Sequence, residues 1–168
     1  MAYNDTDLGE VLTAIVARIV AQSATTGFSA DTCYLAPSQQ SARLVAPNPG
    51  QFFCAVAAGD GNFDEELWDG GGTSQTCLDM TVSVTMYTTV MQDQPGRNKA
   101  ALTSATYGLS AKVKAMLKVL SAFALLDPGG VEVLRIRPRP AGMHIPDLGA
   151  NIHAITLDFA LGFDWDLS

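Results

Sequence analysis

Residues 153–165 read His-Ala-Ile-Thr-Leu-Asp-Phe-Ala-Leu-Gly-Phe-Asp-Trp. Ile155, Leu157, Phe159, Leu161, Phe163 and Trp165 share one parity, and Ala154, Thr156, Asp158, Ala160, Gly162 and Asp164 share the other. Successive side chains of a strand point to opposite faces, so this stretch is a strand with one greasy face and one small, acidic face. It is long beside the usual strand of about 5–6 residues. Burying each large side chain is worth about 1.5–3 kcal/mol, so the rest of the chain must supply a surface to cover it. The parity places Leu157 and Phe159 in the core and leaves Asp158 exposed or at an interface. On that reading Phe159→Ala costs about 3–5 kcal/mol and Asp158→Ala stays within about 0.5 kcal/mol unless the interface is formed.

Two stretches have the helical period needed for such a cover. In residues 7–22, Leu8, Leu12, Ile15 and Ile19 form a stripe with Val11, Val16 and Val20 beside it. Asp5 or Thr6 caps this helix, Asp7 and Glu10 suit its positive end, and Arg18 falls in the last turn. In residues 110–126, Val113, Met116, Leu117, Leu120, Phe123 and Ala124 form a second stripe, with Lys112, Lys114 and Lys118 left in water. Asp127-Pro-Gly-Gly130 stops it. Residues 102–109 hold some further helix, after a turn at 93–96.

The remaining strands are read the same way. Residues 51–58 alternate Phe52, Cys54 and Val56 with Phe53, Ala55 and Ala57, so both faces are covered. Residues 78–92 place Met80, Val82, Val84, Met86 and Val90 on one side. Thr81, Ser83, Thr85, Tyr87 and Thr89 lie on the other, polar enough for water or a partner subunit. Residues 32–36 and 42–46 are short strands broken by prolines, and 131–137 is a strand ended by Pro138 and Pro140. Residues 59–75 form a long loop rich in glycine and acid, and 141–151 a connection. The order is helix, several strands, helix, two strands. It predicts a single α+β domain over residues 1–168: a mostly antiparallel sheet with two amphipathic helices packed on one face.

Chemistry is sparse. Asp60-Gly-Asn62-Phe-Asp64 opens like a calcium loop, but Glu65 stands where the glycine is needed and Gly71 where the closing acid is needed. Gly70, Gly71 and Gly72 precede a strand and no lysine follows, so they are no phosphate loop. His144 and His153 lack metal-ligand spacing, and there is no nucleophile elbow. The expectation is therefore no enzyme, no metal and no cofactor. The net charge is −7, from 17 acids and 10 bases. That excludes a sequence-reading nucleic-acid binder while leaving room for a surface past which DNA slides. Apolar runs such as 11–21 contain Arg18 and fall short of a membrane span of about 20 residues. Cys33, Cys54 and Cys77 are an odd number and read as reduced thiols of a cytoplasmic chain.

Four stretches carry a resemblance: the first helix ending near Gln22; Gly70, Gly71 and Gly72 before the strand at 80–90; Asp93-Gln-Pro-Gly-Arg97 followed by Ala100-Ala-Leu102; and Phe163-Asp-Trp-Asp-Leu167. In this order the chain resembles the tail-terminator or tail-completion proteins of long-tailed bacteriophages and phage-derived particles. The resemblance implies an α+β subunit of the virion, made in the host bacterial cytoplasm. It implies a ring, often of six copies, that caps the tail tube, stops its growth and joins it to the head-tail connector, with DNA passing through. Its partners would be further copies of itself, the tail tube protein and the connector. For the joint between copies, the alternating Arg135, Arg137 and Arg139 are set against the acids Asp60, Asp64 and Glu65 of the glycine-rich loop. Reversing Arg137 to Glu is then expected to weaken assembly. The rival reading is a stand-alone binding module with the 59–75 loop as its ligand surface.

Overall fold

A computed structural model describes residues 8–37, 48, 51–63, 75–89, 95–121, 125–126, 132–134, 138–145 and 152–166. The elements run α1 (Leu8–Ala21), α2 (Ser23–Thr26), β1 (Cys33–Leu35), β2 (Phe52–Phe63), β3 (Gln75–Thr89), α3 (Pro95–Ser121), β4 (Leu125–Leu126), β5 (Glu132–Leu134), β6 (Arg139–His144) and β7 (Ile152–Asp166). Among these residues one sheet has five strands in the order β1-β2-β3-β7-β6, and β4 and β5 form a separate ribbon against α1. In the large sheet β1 alone runs parallel to its neighbour, and the other pairs are antiparallel.

The closing strand behaves as its parity dictates. β7 pairs with β3 without a break from Gln75 opposite Asp166 to Thr89 opposite Ile152. This register sets Leu157 beside Val84 and Phe159 beside Val82, and all four are buried. They share one core with Cys54, Val56, Met80 and Met86, with Val11, Ile15 and Ile19 of α1, and with Leu109, Met116 and Leu120 of α3. Both long helices therefore cover the same face. The α1 stripe is centred on Val11, Ala14, Ile15 and Ile19, with Leu8, Leu12, Val16 and Val20 half-buried at its flanks. Its expected caps, Asp5 and Thr6, lie outside the described residues.

The helix α3 starts earlier and stops sooner than its pattern suggests. It runs 27 residues from Pro95, so the predicted turn at 93–96 gives way to a helix beginning at proline. Proline suits a first helical position, where its missing N–H has no acceptor and its φ is already helical. The helix ends at Ser121, and Leu125–Leu126 is paired as β4 rather than helical. Gly108 lets α3 approach the sheet, since a Cβ there would stand 2.6 Å from Cζ of Phe52. Gly27, at φ 72°, closes α2 in the left-handed conformation that glycine adopts cheaply.

Three further expectations are corrected. β2 continues to Phe63 across an irregularity between Ala58 and Gly61, so residues 59–63 belong to a strand and not to a loop. Residues 139–144, read as the end of one strand and part of a connection, form β6 and pair with β7. The threonine face is not wet. Ser83, Thr85, Tyr87 and Thr156 are buried, as are Phe53, Ala55, Ala57 and Ala154 beside them. Hydroxyls tolerate burial when bonded, and here the Thr85 and Thr156 hydroxyls bond to each other at 2.8 Å while those of Tyr34 and Tyr87 form a second pair. The strand expected at 42–46 and most of the acidic loop lie outside the described residues.

Candidate subunit interface

Of the charged residues nominated from sequence, two can be placed. Arg139 opens β6 and is exposed; Asp60 lies within the β2 irregularity and is exposed. Arg135, Arg137, Asp64 and Glu65 lie outside the described residues. The strand expected at 131–137 is described over Glu132–Leu134 as β5, which pairs with β4, whereas Arg139 is carried by β6 in the large sheet. Arg139 stands opposite Ala160, which stands opposite Thr81, beside which β2 makes its irregularity around Asp60. Asp60 and Arg139 thus sit at one level of the sheet with β3 and β7 between them. At about 4.7–4.9 Å per strand they are roughly 14 Å apart, too far to pair within one copy.

The strand β6 is exposed along its length. It is held to β7 by backbone pairing and by His144, whose Nδ1 lies 3.3 Å from Oδ2 of Asp158. The other carboxyl oxygen of Asp158 accepts a 2.5 Å hydrogen bond from Ser83 Oγ on β3. The chain Ser83–Asp158–His144 therefore ties three adjacent strands together. Nucleophilic catalysis needs the imidazole against the hydroxyl, with the carboxylate behind it; here the carboxylate stands between the two. Asp158, read from its parity as exposed or at an interface, is bonded and half-buried within one copy.

A second polar cluster lies where α3 meets the turn after α2. The Lys112 ammonium donates to the Thr26 carbonyl at 3.0 Å and sits 4.3 Å and 5.1 Å from the ring centres of Phe28 and Phe52. Burial lowers its pKa. The lysine was expected in water; its ammonium instead bridges the two elements. Nearby, Cys33 and Cys54 are register partners on β1 and β2, both free and buried. The hydrogen bond with Cys33, then burial, pushes the Cys54 thiol well above its ordinary value. Such thiols are inert in the folded state. Among the described residues no group of His, Cys, Asp and Glu is placed to hold a metal ion, and no helix is long and apolar enough to cross a membrane.

Sequence reasoning missed the sheet edges. The exposed large hydrophobic residues among those described are Leu35 at 42%, Met143 at 61% and Ile145 at 77%. Leu35 is on β1 and Met143 on β6, the two ends of the five-stranded order, and Ile145 follows β6 directly. The one signal available was the shared parity of Met143 and Ile145, in a stretch too short and too close to prolines to read as a strand.

No family model matches the sequence, and no curated protein matches it. Among solved structures the chain is similar to a chain in the virion of native gene transfer agent (GTA) particle, at 14% sequence identity and a TM-score of 0.49. That similarity covers 97% of this chain and 99% of the other. The fold itself defines an α+β protein with a mostly antiparallel sheet and its two long helices on one side.

Proposed function

We propose that this chain is a structural protein of a virion or phage-like particle, acting as a tail terminator. In this reading copies form a ring, of six by the family resemblance, on the end of the tail tube. The ring stops elongation and joins the tube to the head-tail connector. The observation that carries the reading is the sheet edge. Both long helices lie on one face, and among the described residues the order ends on β6, a strand exposed throughout. Unpaired strand edges invite pairing with another chain, and a protein that leaves one open must block it or use it. The charge of −7 suits a passage through which DNA moves without adhering.

The test is tail assembly with and without this protein. Omitting it should give tubes of uncontrolled length, and adding it should give tubes of fixed length with a ring at one end under the electron microscope. Unchanged tube length on omission, with no ring on tube ends, overturns the reading. A monomer whose melting point rises with a small ligand would instead support the binding module.

A further inference from the structure

Among the described residues the two edges of the sheet match each other. One cross-strand row runs Leu35, Val56, Val84, Leu157, Met143, each residue being the register partner of the next. The row faces the helices: its middle three members are in the main core. Its ends, Leu35 and Met143, are exposed large apolar side chains on the same face, and Ile145 has the parity of Met143. The next row runs Tyr34, Ala55, Thr85, Thr156, His144 on the opposite face. Lower down, the level of Thr81 and Ala160 has acidic Asp60 toward one end and basic Arg139 at the other.

We propose that copies of this chain join head to tail by continuing the sheet, with β6 of one copy pairing against the β1–β2 edge of the next and Met143 packing on Leu35. The joint rests on the ring reading above and specifies its partner surface as a second copy.

Strand direction fixes the sense of the pairing. Because β1 runs parallel to β2 while each later pair is antiparallel, β1 and β2 run opposite to β6. A copy added by continuing the sheet repeats those directions, so the new pair is antiparallel. With Leu35 opposite Met143, Tyr34 falls opposite His144 and Cys33 opposite Ile145. Every pair then lies on a common face, and a slip of one residue would break that agreement.

The lengths also agree. The β6 pairing is irregular between Pro140 and Gly142, and proline has no N–H to give a neighbour. The usable edge is therefore residues 142–145, set against the three residues Cys33–Leu35, of which Cys33 already gives its N–H to the Ser29 carbonyl at 3.0 Å and Leu35 is left to pair with Met143. In this register Arg139 of one copy stands at the level of Asp60 of the next. Two unlike surfaces meeting in this way form a heterologous contact, which closes into a ring when the rotation permits. A two-fold pairing of β6 with β6 would cover Met143 and leave Leu35 bare.

The experiment is site-directed cross-linking with a bismaleimide, using Leu35→Cys and Met143→Cys prepared separately at high protein concentration, with the unsubstituted chain as background. The expected result is a cross-linked dimer only when the two variants are mixed, with a 35–143 linkage in its peptides. The double variant should give a ladder that ends at the ring size seen by native mass spectrometry. Met143→Arg with Ile145→Arg, both exposed and so compatible with folding, should keep the unfolding midpoint and lose assembly. Links of 143 to 143 or 35 to 35, a strict monomer, or full assembly of the double arginine variant overturns the joint. A ring lacking the 35–143 link overturns the joint and leaves the ring reading standing. Unchanged tube length despite the link overturns the terminator reading alone.

Discussion

Replacing Phe159 and its neighbour Asp158 tests the register on which everything else rests. Phe159 is 1% exposed and lies beside Val82 in the main core. An aromatic side chain removes about 150–250 Å² from water, worth about 4–6 kcal/mol at about 25 cal/mol per Å². Alanine retains a little of that, and incomplete collapse of the cavity adds to the loss, so Phe159→Ala should cost about 3–5 kcal/mol. Asp158 faces the other way. Its side chain is 21% exposed and accepts the 2.5 Å bond from Ser83. A hydrogen bond to a charged group is worth about 1.5–3 kcal/mol when dry, and partial exposure screens it. The His144 contact, with its imidazole 47% exposed, adds little. Asp158→Ala should therefore cost about 1–2 kcal/mol, more than the surface value that parity alone suggests. Asp158→Asn, which keeps an acceptor for Ser83, should cost less. Urea melts with an unchanged slope read these directly. In thermal melts, at about 2–4 °C per kcal/mol for a chain of this size, Phe159→Ala should lower the midpoint by about 6–20 °C. If Asp158→Ala proves the more damaging of the two, β7 is slipped by one residue and its faces are exchanged.

Other expectations follow from single contacts. Gly27→Ala forces a side chain into φ 72° and should cost about 1–2 kcal/mol by denaturant melt, whereas Gly27→Asn should cost less; equal stability of Ala and Gly would remove the left-handed turn. A thiol reagent should find Cys33 and Cys54 unreactive in the native protein and reactive after unfolding, with no disulfide at either stage. Because the Cys54 pKa is raised in the folded state, its contribution to stability is complete below the ordinary thiol value and is lost as pH rises past it; Cys54→Ala should flatten the alkaline limb of a pH–stability curve. Arg139→Glu should weaken assembly most at low salt, since exposed charges are screened over about 10 Å at 0.1 M; sedimentation that is insensitive to both charge and salt would exclude Arg139 from the joint.

The sequence by itself determined the elements whose period is long and uninterrupted. The alternation of Ile155, Leu157, Phe159 and Leu161 sets the faces of β7, and the stripe through Ile15 and Ile19 sets α1, because chain geometry alone maps those spacings onto one side. Burial of Leu157 and Phe159, and the covering of one sheet face by both helices, follow from the need to remove those stripes from water. Tertiary structure decided the rest. The short stretch Arg139–His144 has too little pattern to mark a strand, and β6 exists because the β7 edge beside it supplies hydrogen bonds. The hydroxyls of Ser83, Thr85 and Thr156 look solvent-facing until each is seen beside its partner across the sheet. Most of all, strand order lies beyond local pattern. That Leu35 and Met143 end one row, and that Asp60 and Arg139 fall at one level, depends on pairings between residues far apart in the chain. Side-chain periodicity names the face a residue takes, and only strand pairing names its neighbour.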